Sequence, residues 1–271
     1  MNNGRVAITV GAPQLIALDV DGTLLETGAS VSPRVRAAVL AAAASGAHVV
    51  IATGRTLVAT RQVVGELGLS AGHVICSNGA VRADLATWAP LDVHTFDPKA
   101  AAVVLRSLFP EMVLAVEKVG VGVWATDFFP GSIRGGEFHL VTDEQLVAEP
   151  TARLSGWWPA GDLDQMIARM AEVDLPDAGW IQGDNEPWLV ATKPGVSKSA
   201  ALERLRRQLG VPREATLAIG DGYNDVDMIE WAARSVAMGN AVPEVKAAAD
   251  EVTAEVSADG VAQVLERWFT P

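Results

Sequence analysis

The chain holds 271 residues, enough for one large domain or for a core carrying a smaller insert. Hydrophobic residues make up 49%, yet no uncharged apolar run approaches the roughly 18 residues that a spanning helix needs, so no membrane association is expected. The net charge of −12 argues against a nucleic-acid partner, which would call for basic patches, and suits a divalent cation.

The opening MNNGRVAITVGAP lacks the apolar core of a signal peptide, and Cys76 is the single cysteine, so no internal disulfide is possible. Both point to the cytoplasm. "QLIALDV" is a short continuous apolar run, as in a strand buried on both faces. "SPRVRAAVLAAAASG" carries a helix start and stop, with Ser32 as N-cap, Pro33 in the first turn and Gly46 at the end. "AHVVIAT" reads as a strand, "TLVATRQVVGELGL" as a helix and "HVICSN" as a strand. This alternation predicts a parallel sheet with helices on its faces.

From about Asp84 to Ala191 the pattern changes. Tryptophans cluster, Gly and Pro recur, and the expected strands are Val113–Glu117, Val121–Trp124, Arg153–Trp157, Gly179–Ile181 and Trp188–Ala191, with helices over Pro98–Phe109 and Asp162–Glu172. The Trp cluster is read as core packing rather than a ligand platform. The alternation then resumes: "SKSAALERLRRQLG" is a helix, "ATLAIG" a strand, "NDVDMIEWA" a helix, "SVAMG" a strand, and "DGVAQVLERWF" the last helix. The expected fold is α/β, a Rossmann-like parallel-sheet core over residues 1–83 and 192–271 with an inserted α+β domain over 84–191.

Ligands of an open parallel sheet bind beyond the carboxyl ends of its strands. There the sequence places Asp19, Asp21, Gly22 and Thr23; Thr53, Gly54 and Arg55; Ser77, Asn78 and Gly79; and Gly220, Asp221, Asn224, Asp225 and Asp227. Carboxylates at the end of an apolar strand are costly unless something positive meets them. Asp19, Asp21, Asp221 and Asp225 offer hard oxygens of the kind Mg²⁺ takes, whereas the four His and one Cys lack zinc-ligand spacing. Asp227 falls inside a helix and is read as a turn or surface acid. Thr53-Gly54-Arg55 offers a hydroxyl and open backbone N–H groups to an anion, and Lys198 at a helix start opposes the dipole and so calls for an anion nearby. "GVSKS" lacks the Gly-Lys-Ser/Thr junction of a P-loop. "GVGVWA" lacks the βαβ surroundings of a dinucleotide fingerprint.

"DVDGTLL" at Asp19, "TGR" at Thr53, "SK" at Lys198 and "GDGYNDVDM" at Gly220 resemble, in order, the four motifs of the haloacid dehalogenase superfamily. "SNGA", "AMGNA", "AAADEVT" and "SADGVA" are similar to its Cof-like phosphatase subfamily, whose type 2 cap is inserted where the middle third lies. The resemblance implies an Mg²⁺-dependent phosphatase acting on a small phosphorylated metabolite, a sugar phosphate or cofactor phosphate. It implies Asp19 as nucleophile and Asp21 as general acid and base. Asp221 would hold the metal with Asp19 and the Asp21 carbonyl, Asp225 ligating directly or through water. Thr53, Gly54, Lys198 and Asn224 would bind phosphoryl oxygens, with Arg55 and Asn78 toward the substrate. The two crossings into the insert, near Arg82–Asp84 and Ala191–Gly195, would serve as hinges. A phosphomutase of the same superfamily and a non-catalytic sensing protein on this fold are the alternative readings.

Overall fold

The computed structural model describes residues 11–26, 28–129, 135–183 and 186–270. Residues 1–10, which carry most of the leader reading, and residues 130–134, 184 and 185 of the expected insert lie outside these.

The first third alternates as its periodicity predicts. Strand β1 (Leu15–Leu18) is followed by helix α1 (Pro33–Ala44), β2 (His48–Ala52), α2 (Leu57–Leu67) and β3 (His73–Cys76). Ser32 caps α1 by accepting the Val35 N–H at 3.1 Å, with Pro33 in the first turn, where its missing N–H costs nothing. Two further strands follow, β4 (Val81–Asp84) and β5 (Pro90–Val93), antiparallel to their neighbours. Arg82–Asp84 is therefore paired on both sides within a sheet and is not a free hinge. The first sheet also runs on past residue 84, to Val93.

The middle third builds a second sheet. Helix α3 (Lys99–Leu108) leads to β6 (Val113–Lys118), β7 (Gly122–Ala125), β8 (Glu137–Leu140), α4 (Asp143–Leu146), β9 (Leu154–Trp157), α5 (Leu163–Met170), β10 (Gly179–Gln182) and β11 (Trp188–Thr192). Sequence periodicity misses β8 and α4. All four residues of β8 are exposed, so the strand carries no burial pattern to detect. Side chains alternate across β6: Leu114 and Val116 pack with Phe109, Leu154 and Leu189, and Val113 and Ala115 pack on the opposite face with Val123, Ala125 and Phe129. The Trp cluster is largely core. Trp158 meets the Phe109 ring at 5.0 Å between centroids, and Trp157 and Trp188 pack on the opposite face.

The chain then returns to the first sheet through α6 (Lys198–Leu209), β12 (Thr216–Gly220), α7 (Val226–Trp231), β13 (Arg234–Ala237), α8 (Pro243–Ala248), β14 (Glu251–Val252) and α9 (Gly260–Leu265). That sheet has the order β14-β13-β12-β1-β2-β3-β4-β5, and every pair from β14 to β3 is parallel. The second sheet has the order β10-β11-β9-β6-β7-β8. In the first sheet the chain moves one way from β1 through β2 to β3, and the other way from β12 to β14. The order reverses between β1 and β12, where a crevice opens at the carboxyl ends of the strands. Among the described residues no helix is long and apolar enough to cross a membrane.

Candidate active site

Asp19 and Asp221 follow β1 and β12, on the two sides of that crevice. One oxygen from each of Asp19, Asp221 and Asp225 lies within 4.8 Å of the others. Lys198 at the N-terminus of α6 reaches into the same place. Its Nζ donates to Asp19 Oδ1 at 2.6 Å and to Asp225 Oδ1 at 2.6 Å, with the ammonium fully buried. The anion that its position at a helix start calls for is thus carboxylate. Burial favours loss of the Lys198 proton, but the two carboxylates outweigh it and hold the ammonium above its ordinary range. Burial, reinforced by the Asp225 charge, pushes the Asp19 carboxyl well above the usual range against the pull of Lys198.

Each carboxylate has a distinct setting. Asp225 is completely buried, and its Oδ2 accepts the N–H groups of Asp221 and Gly222 at 3.0 and 3.1 Å. It therefore shapes the loop that carries Asp221. Asp221 Oδ1 accepts the Thr23 hydroxyl at 2.6 Å, and Asn240 donates to the Gly22 carbonyl at 2.8 Å beside it. The Asp21 carboxylate stands outside the trio and forms a two-toothed ion pair with Arg55, at 2.8 Å from Nε and 2.6 Å from Nη2. Arg55 accordingly meets the acid rather than standing free toward the cleft. Three carboxyl groups share one ammonium. Hard oxygen donors around a shared point fit a small divalent cation.

Two loops complete the floor. Thr53 is buried, donates its N–H to the Ile75 carbonyl at 2.9 Å and accepts the Arg55 N–H at 3.1 Å. Ser77 and Asn78 both adopt left-handed backbone, with φ of 50° and 53°, at a cost of about 1–2 kcal/mol each for residues bearing a Cβ. That turn aims the Asn78 amide at Asn224, whose Nδ2 donates to Asn78 Oδ1 at 3.0 Å. A Cβ on Gly54 would sit 3.0 Å from both amide groups, so Gly54 lies against them. Every residue expected at the site thus lies at the carboxyl edge of the first sheet.

Other residues take part in ways that the sequence reading did not assign. Asp227 sits in α7, as expected, but its Oδ2 accepts the Ser199 N–H at 3.0 Å and ties down the helix start that carries Lys198. Thr23 and Asn240 hold Asp221, and they lie in "DVDGTLL" and "AMGNA". Glu117 and Arg153 come from the second sheet. Their signal is a charge that interrupts an apolar stretch, "VLAVEKV" and "TARLSGW". A cleft of about 330 Å³ adjoins the site, lined by Asn78, Lys198, Tyr223 and Asn224 from the first sheet's side and by Trp180 and Ile181 from β10. This exempts Trp180 from the pure-packing reading.

The sequence pattern of the family described as haloacid dehalogenase-like hydrolase matches residues 16–118 and 159–265. A 5-amino-6-(5-phospho-D-ribitylamino)uracil phosphatase of Bacillus subtilis is 30% identical, over 94% of this chain and 95% of its own. A phosphoglycolate phosphatase of Natronomonas pharaonis is 31% identical, over 93% and 96%. A haloacid dehalogenase-like hydrolase from Bacteroides thetaiotaomicron superposes with a TM-score of 0.79 at 26% identity, covering 95% of this chain and all (100%) of that one.

Proposed function

The chain belongs to the haloacid dehalogenase-like hydrolases, in the Cof-like phosphatase subfamily, and is a phosphoric monoester hydrolase; we propose that it is Mg²⁺-dependent and releases phosphate from a small phosphorylated metabolite, a sugar phosphate or cofactor phosphate, through an aspartyl phosphate on Asp19. The observation that carries this reading is the Lys198 ammonium bridging Asp19 and Asp225 beside Asp221, a buried charge cluster at the switch point of the sheet.

The geometry supports one assignment of roles. A carboxylate oxygen of Asp19, held in place by Lys198, attacks phosphorus. The new O–P bond forms as the bond from phosphorus to the leaving oxygen breaks, and Asp21 delivers a proton to that oxygen. A water then attacks phosphorus while Asp21 takes its proton, the Asp19–P bond breaks, and the carboxylate is restored. Arg55 bonds both Asp21 oxygens, so this pair opens and Asp21 takes up a proton from solvent before it acts as the acid. Lys198 meets the phosphoryl charge, with Thr53, the Gly54 N–H and Asn224 on its remaining oxygens. A divalent cation held by Asp19, Asp221, Asp225 and the Asp21 carbonyl would supply charge neutralisation between the anionic nucleophile and the anionic ester. The cleft beside Trp180 and Tyr223 takes the leaving group. Its volume of about 330 Å³ suits a metabolite rather than a macromolecule. The second sheet acts as the cap over it.

The test is hydrolysis of some tens of phosphorylated metabolites with Mg²⁺, repeated in excess chelator. Mg²⁺-dependent turnover of one metabolite class is expected. Full activity in chelator would refute the metal site, and the absence of any turnover would refute the phosphatase reading.

A further inference from the structure

Glu117 and Arg153 are charged, 4% and 1% exposed, and stand on the second sheet, yet apart from Ser155 their side-chain partners are backbone and hydroxyl groups of the first-sheet loops. Such groups remain charged in a dry interface only where hydrogen bonds replace water. Glu117 shares the β6 face of Val113 and Ala115. Its Oε1 accepts the Leu57 N–H at 2.9 Å, and its Oε2 accepts the Ser77 hydroxyl. Arg153, just before β9, donates from Nη1 to the Gly54 carbonyl and from Nε to Ser155 Oγ at 3.0 Å. Its Nη2 is buried without a partner.

The two side chains thus hold both loops of the phosphate floor. Gly54 and Leu57 bracket Arg55, the partner of Asp21. Ser77 begins the left-handed pair that aims Asn78 at Asn224. The loops are also bonded to each other, Ser77 N–H to the Arg55 carbonyl at 2.8 Å and Asn78 N–H to the Thr53 carbonyl at 3.1 Å. A shift of either loop therefore moves the other.

Resting on the phosphatase reading, we propose that Glu117 and Arg153 are positioning residues: a charged clamp on the second sheet that holds the Thr53–Leu57 and Ser77–Asn78 loops in the geometry that receives the phosphoryl group. The second sheet then has a part in the chemistry of every substrate, apart from any contact with a leaving group. Burial favours a neutral Glu117 and pulls the Arg153 guanidinium down to about 10, while each group's field on the other opposes this.

Three variants separate positioning from packing. Glu117→Gln offers one acceptor oxygen where two donors need one each. Arg153→Met fills the aliphatic space without a donor. Ser77→Ala removes a single hydroxyl and serves where a buried-charge variant fails to fold. Amide hydrogen exchange over 53–57 and 77–79 is measured with melting temperature, and with kcat on both a small aryl phosphate and the best metabolite of the panel. The clamp predicts exchange about tenfold faster in those two segments, with β7 unchanged, and a kcat loss of about tenfold that is equal for both substrates. A lowered melting temperature with unchanged loop exchange and kcat would overturn it. So would a loss confined to the metabolite, which would make Arg153 Nη2 a leaving-group contact. A wild-type protein with no phosphatase activity would refute the functional reading alone, because the exchange data still decide the clamp.

Discussion

Replacing Gly79 with alanine tests how tightly the phosphate floor is fitted to the helix that carries Lys198. Gly79 has φ of +96°, and a Cβ there would lie 2.1 Å from the Ser197 carbonyl oxygen, 2.5 Å from its carbon and 3.1 Å from the Lys198 nitrogen. All three are backbone atoms, so no side chain can turn aside. The methyl group falls more than an ångström short of ordinary contact, and the start of α6 must move by about that much. Left-handed backbone costs an alanine roughly 1–2 kcal/mol and overpacking adds roughly 1–3. A loss of about 2–5 kcal/mol is a large share of a stability of about 5–15. At about 2–4 °C per kcal/mol the melting temperature falls by roughly 4–20 °C. The catalytic effect is separate. Lys198 Nζ lies 2.6 Å from both Asp19 and Asp225, and displacement of a positioned group by about 1 Å costs on the order of a hundredfold in rate. Thermal melts and kcat on an aryl phosphate, measured well below the variant's transition, read the two effects apart. A melting temperature within about 2 °C of wild type with kcat within threefold would refute the close fit.

Gly22→Ala strikes the metal site from the other side, because its Cβ would lie 2.0 Å from Asp221 Oδ2 at φ of +82°; the Mg²⁺ concentration for half-maximal activity rises at least about tenfold, and an unchanged Mg²⁺ titration would contradict this. Asp227→Ala frees the Ser199 N–H and costs about 1 kcal/mol, as loss of a helix cap does, with a several-fold drop in kcat; unchanged denaturation and kcat would return Asp227 to the surface-acid reading. Burial pushes the Cys76 thiol far above its ordinary range, so native protein at pH 7–9 stays protonated there and inert to thiol reagents, reacting only on unfolding; prompt labelling of the native protein would contradict the buried setting.

The parallel sheet was legible because its strands are buried on both faces and its helices carry their own stops and starts. "LIAL" and "TLAIG" are wholly buried, and Ser32, Thr56 and Ser197 each cap a helix. The site was legible because a carboxylate that ends an apolar strand, as Asp19 does, is stable there only beside a cation or hydrogen-bond donors. Other parts lacked a local signal. Strand β8 is exposed along its whole length, and β5 is exposed but for one residue. The Arg55–Asp21 pair and the Asp227–Ser199 bond join residues far apart in sequence, and spacing says nothing of them. Glu117 and Arg153 were overlooked for a different reason. Each is a charge at the edge of an apolar segment, which reads as the end of a strand until its partner in the first sheet's loops is seen.

The covalent step at Asp19 is the centre of the account, and trapping it is the most direct test. Enzyme mixed with substrate and Mg²⁺, quenched in acid during turnover, reduced with borohydride and cut into peptides should carry homoserine in place of Asp19 and no other modified carboxylate. Asp19→Asn should abolish the modification and lower the rate at least about a thousandfold, ~4 kcal/mol of transition-state stabilisation. Modification of another residue, or rapid turnover by the Asn variant with the peptide unmodified, would contradict the mechanism.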